Sequence, residues 1–76
     1  MNKIIAQRGT SSFLIEVEEN KLYALLDINQ PYLKPIYSTK PDIFLRFGYF
    51  TDYEKNIENE NKINAILMKY PYDETL

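Results

Sequence analysis

Seventy-six residues with no Cys and no His can be held by neither a disulfide nor a Cys- or His-based metal staple. Stability must come from apolar packing or association, because a domain of this size buries only about 60% of its unfolded-chain surface. A formal charge of −2 argues against a dedicated nucleic-acid binder, and an apolar content of 45% argues against disorder.

The chain is expected to form one small domain over residues 1–76, soluble and cytoplasmic. Met1 to Gly9 holds one Lys and too short an apolar stretch for a signal peptide, and no apolar run approaches the ~20 residues of a membrane span. The absences also remove chemistry. Without His the commonest general base is gone, and without Cys there is no thiolate. Gly9 and Gly48 are too far apart to cradle a phosphate. We expect no catalytic residues, no cofactor and no metal. The best remaining carboxylate pair, Glu16 with Asp27, does not face directly across the predicted hairpin, and such residues usually serve solubility.

In chain order, Lys3 to Gln7 forms a short strand. Arg8, Gly9 and Thr10 make the connection, with Gly9 free to take positive φ. A β-hairpin spans residues 12–28. Phe13, Ile15 and Val17 alternate with Leu14, Glu16 and Glu18, and Leu22, Ala24, Leu26 and Ile28 alternate with Tyr23, Leu25 and Asp27. A two-residue turn at Glu19 and Asn20 would pair Glu18 with Lys21, Val17 with Leu22, Ile15 with Ala24 and Phe13 with Leu26. Each apolar residue of the first face then meets an apolar partner. The stretch from Pro31 to Pro41 carries three prolines and reads as extended irregular chain or edge strand. Ile43 to Phe50 is rich in β-formers and reads as another strand.

Thr51 with Glu54 has capping-box spacing, and Tyr70-Pro71 stops a helix. A helix over 52–70 places Ile63, Ile66, Leu67 and Tyr70 on one face. Its first half is rich in Asn, a poor helix former, so a break near Asn59 to Asn61 is conceivable. The fold class is therefore α+β: a small antiparallel sheet of three to five strands with one C-terminal helix packed on one face.

Eleven rings, seven Tyr and four Phe, exceed what so small an interior needs, and seven of them fall between Tyr32 and Tyr53. One helix covers one sheet face. The reverse face then carries Leu14, Glu16, Tyr23 and Leu25 from the hairpin, with Phe44 and Arg46 from the next strand. Apolar and aromatic residues with charges among them compose a protein interface. The competing reading is plain core, with segment 29–42 folded over that face or the sheet curled into a barrel. Three weaker patterns stand beside it. Lys34, Tyr37, Lys40, Phe44 and Arg46 interleave rings with cations, as single-strand nucleic-acid binders do. Asp52, Glu54, Glu58 and Glu60 make the helix start acidic, which could dock on a basic surface. Residues 8–12 could form an anion nest, though short polar loops are mostly turns.

The functional expectation is a non-enzymatic protein-binding module that acts by steric occlusion, an inhibitor or immunity-type protein. Its partner-binding residues would be Tyr23, Leu25, Phe44, Arg46, Leu14 and Glu16. Nine Ile, seven Lys and seven Asn against three Ala and two Gly point to AT-rich codons, hence a low-GC bacterium or its phage, where anti-defence proteins are of this size. The alternatives are a nucleic-acid-binding accessory protein and a self-associating subunit closing a homodimer. No membrane role is expected.

Overall fold

The computed structural model describes residues 3–19, 21–40, 42 and 57–73. Four strands, β1 (Lys3–Arg8), β2 (Ser12–Glu18), β3 (Leu22–Asp27) and β4 (Ile36–Ser38), form one antiparallel sheet in the order β1-β2-β3-β4. One helix, α1 (Ile57–Lys69), follows. This is a small α+β fold. The predicted strand over 43–50 and the predicted capping box at Thr51 lie outside the described residues.

The hairpin register places Phe13 opposite Leu26 and Ile15 opposite Ala24, as the alternation predicts. Its closed end differs from expectation. Glu18, not Val17, pairs with Leu22, so Val17 is an extra residue and the loop contains three residues, 19–21. The Lys21 N–H donates to the Glu18 carbonyl at 3.0 Å. The two-residue turn would need left-handed backbone at Glu19, which a Glu adopts poorly. A bulge with a longer loop avoids that demand and still leaves Val17 packed on the helix side.

Between β1 and β2 the chain reverses at Gly9, whose φ is +66°, the left-handed region where Gly carries no Cβ penalty. The Gln7 side-chain amide donates to the Gly9 carbonyl at 2.6 Å. A second irregularity lies within β1. Ile4 faces Ile15 and Ala6 faces Leu14, so Ile5 is the additional residue. Ile5 and Ala6 consequently both join the reverse face, while Ile4 joins the helix face.

The helix face is the main core. Phe13, Ile15, Leu26, Ile63 and Ile66 are buried together, with Ile4, Val17, Ile28, Leu67 and Tyr70 packed around them. The helix stripe at 63, 66, 67 and 70 is the predicted one. The helix is continuous from 57 to 69, so Asn59, Asn61 and Asn64 do not break it. Their cost, a few tenths of a kcal/mol each, is small beside ~1.5–3 kcal/mol for each large apolar side chain buried. Part of segment 29–42 joins the sheet at its edge. Its residues 36–38 extend the sheet as an edge strand that begins directly after Pro35, where a Pro is tolerated.

Ile66 is 3% exposed and central to this contact. Ile66→Ala should cost about 2–5 kcal/mol. A urea titration would read this as a large drop in midpoint, and a midpoint within error of the parent would show that the helix is not the lid of this core.

Candidate functional site

The four described residues of the predicted contact set do not share one environment. Leu14 has no exposed surface and forms a second buried cluster with Ala6, against which Ile5, Tyr23 and Leu25 pack. Leu14 is thus core, and an open surface cannot include it. The alternation places it on the reverse face correctly but says nothing of its cover. Glu16, Tyr23 and Leu25 are half-buried on that face. Phe44 and Arg46 lie outside the described residues.

Among the described residues, large exposed apolar side chains occur at Met68 on the helix and, in a group, at the β4 edge. Tyr32 (66%), Leu33 (50%) and Ile36 (59%) are open within five residues of chain, and Tyr72 (47%) lies nearby. The register explains the geometry. Ile36 pairs with Leu25 and extends the reverse face outward, whereas Tyr37 pairs with Ala24 and points toward the helix side. There the Tyr37 hydroxyl donates to the Tyr70 carbonyl at 2.8 Å. The Tyr70 hydroxyl in turn donates to the Tyr32 carbonyl at 3.0 Å. The Tyr37 and Tyr72 rings meet at 5.3 Å between centroids with planes tilted by 55°, a favourable aromatic geometry. Lys69 Nζ sits 5.4 Å from the Tyr70 ring centroid. The two hydroxyls therefore tie the edge strand to the helix end and the helix end to the loop before β4.

Along the helix this surface continues into an open groove of about 370 Å³ lined by Ile28, Pro31, Lys62, Ala65, Ile66 and Lys69. The loop wall is built by Asp27. Its carboxylate accepts from the Asn29 N–H at 2.8 Å and from the Gln30 side-chain amide at 3.4 Å. The Gln30 N–H donates to the Asp27 carbonyl at 3.1 Å, and Leu33 N–H to the Gln30 carbonyl at 3.0 Å. Asp27 is thus a turn-former, and its strand partner is Ser12, not Glu16.

Other sequence patterns separate in the same way. Tyr37 packs its ring on Tyr72 and commits its hydroxyl to Tyr70, so it offers no free platform for a base, while Lys34 and Lys40 are simply exposed. Ser38 Oγ accepts from the Lys40 N–H at 3.0 Å, a local turn. Residues 8–12 form the β1–β2 turn. Asp52 and Glu54 of the acidic stretch lie outside the described residues, as does the side chain of Glu58. Among the described residues no group of three or more acidic side chains could hold a metal ion, and no helix is long and apolar enough to cross a membrane. Sequence reasoning did not select Tyr32, Leu33, Ile36, Tyr70 or Tyr72. The available signal was two apolar residues between prolines in an otherwise turn-forming segment.

Compared with known proteins, the chain matches no family model, no curated protein and no solved structure.

Two predictions separate core from surface here. Leu14→Ala should destabilise by about 2–5 kcal/mol. Ile36→Ala should stay within about 0.5 kcal/mol of the parent. Equal denaturation midpoints for the two variants would contradict the assignment. Tyr37 provides the second prediction. Burial pushes its phenol above the ordinary value of 10.0. The fold therefore favours the neutral form. That contribution is whole below about pH 10 and is lost as pH rises through the higher folded value. Tyr37→Phe should cost about 0.5–1.5 kcal/mol at neutral pH. It should also flatten the loss of stability above pH 10; identical alkaline profiles for parent and variant would remove Tyr37 as the titrating group.

Proposed function

We propose that this chain is a non-enzymatic protein-binding module that acts by covering part of a partner protein. The observation that carries the reading is the exposure of Tyr32, Leu33 and Ile36 within five residues of chain at the β4 edge, with the half-exposed Tyr72 against Tyr37 beside them. Isolated exposed apolar residues are ordinary, but a fastened group of them is the kind of surface that a partner covers. Tyrosines suit the role, since they supply large contact area with few rotatable bonds to immobilise. The hydroxyls of Tyr37 and Tyr70 are committed within the chain, which holds the surface in shape before any partner arrives. Tyr23, Leu25 and Glu16 flank it on the reverse face, so the expected contact region moves outward from the sheet centre to its edge.

The size and the composition, rich in Ile, Lys and Asn that AT-rich codons encode, favour a particular kind of module: an inhibitor or immunity-type protein, encoded by a phage or mobile element of a low-GC bacterium and working in the host cytoplasm. Occlusion is the mechanism because the chain lacks the commonest catalytic groups, and a surface needs none to block access.

An affinity pull-down of the tagged chain from a low-GC bacterial lysate tests this. One stoichiometric protein should be recovered, and Tyr32→Ala or Ile36→Asp should each weaken its binding by about 1–2 kcal/mol without lowering the melting temperature of the chain. Recovery of the chain alone, with light scattering at twice the monomer mass, would replace this reading with a self-associating subunit. A partner retained equally by both variants would move the contact away from this edge.

A further inference from the structure

The groove between α1 and the loop after β3 has a composition that the exposed edge lacks. Lys62, Ala65, Ile66 and Lys69 follow one another at helical spacings of three, one and three, so they form a single stripe along one wall. Ile28 and Pro31 form the other wall. Among the described residues the floor is apolar, a cation stands at each end, and no carboxylate belongs to the lining. In a chain with a net charge of −2, this is a local reversal of sign. The walls are also preformed. Asp27 locks the loop through Asn29 and Gln30, and the Tyr70 hydroxyl holds the loop to the helix end through Tyr32.

We propose that this groove receives an acidic segment of a partner protein: an extended stretch with an apolar side chain between two carboxylates. The spacing argues for this occupant. Lys62 and Lys69 are seven residues apart, about 10.5 Å along the helix axis. An extended chain turns every second side chain to one face and covers roughly 13 Å in four residues, so carboxylates at positions i and i+4, on flexible side chains, reach both lysines. The side chain at i+2, on the same face, then meets Ile28, Ala65 and Ile66. Charge complementarity fixes orientation and rejects basic segments, while the apolar floor supplies the contact area. The proposal takes from the protein-binding reading only that the occupant is a protein segment, and it adds which chemistry the helix side of that surface selects.

The test is an NMR titration of the isotopically labelled full chain. The probe is a blocked hexapeptide with two glutamates four residues apart and a leucine midway between them. Saturable shifts are expected at the amides of Ile28, Asn29, Lys62, Ala65, Ile66 and Lys69. Charge reversal with Lys62→Glu and Lys69→Glu together should weaken binding about tenfold or more, with circular dichroism of the variant unchanged because both lysines are exposed. Raising salt should weaken binding to the parent, since exposed charge contacts are screened. The same peptide with lysines in place of glutamates should produce no saturable shifts. Absence of saturation at millimolar peptide, or equal binding by the charge-reversed variant, overturns the proposal. Tighter binding of octanoate than of the peptide overturns it as well and makes the groove a site for a small anionic amphiphile. Shifts confined to Ile36, Tyr37 and their neighbours overturn it too, yet leave the protein-binding reading of the β4 edge standing.

Discussion

Everything in this structure depends on one apolar contact: the Ile63 and Ile66 side chains of the helix seated on Phe13, Ile15 and Leu26 of the sheet. No covalent or metal staple supports it, since the chain contains neither Cys nor His. A two-stranded hairpin alone is marginal in water, and so is an isolated helix of thirteen residues with three Asn in it. Each becomes stable by removing the other's apolar face from water. The contact also sets which sheet face is closed by the helix and which face is left to the rest of the chain.

The edge of the sheet is tied to that core by hydroxyls more than by burial. β4 has only three residues and contributes a short ladder. Tyr37 reaches the last turn of the helix from it, and Tyr70 reaches back to the loop that precedes it. The exposed Tyr32, Leu33 and Ile36 therefore stand on a frame that is braced from two directions. That combination, apolar exposure on a fixed backbone, is what makes the edge a plausible contact surface in physical terms: its shape is settled in advance, and little ordering entropy is lost when it is covered. The groove beside it shares the same brace, since the loop held by Tyr70 is also its outer wall.

The reverse face shows how residues that share one side of a sheet can differ in exposure. Alternation places Leu14, Glu16, Tyr23 and Leu25 on one side of the sheet, and the register agrees. Exposure then divides them. Leu14 is sealed beside Ala6, whereas Tyr23 and Leu25 remain half-open. The bulge at Ile5 contributes to this division by turning both Ile5 and Ala6 to the same side, which no periodicity argument anticipates.

Much of the architecture was nevertheless written in local order. Period-two alternation defined the central hairpin and its pairing, Gly9 marked the left-handed turn, and the spacing of Ile63, Ile66, Leu67 and Tyr70 defined the helix face. These are short-range regularities, legible because side-chain direction follows from backbone geometry alone. Three features needed the folded chain: the bulges at Ile5 and Val17, the burial of Leu14, and the meeting of Tyr32, Tyr37, Tyr70 and Tyr72. Those tyrosines are up to forty residues apart, and nothing in their own neighbourhoods says that they will share hydrogen bonds. The sequence by itself determined which residues face the same way within each element. Only the tertiary structure decided which of those faces were covered, because exposure depends on what distant parts of the chain bring against them.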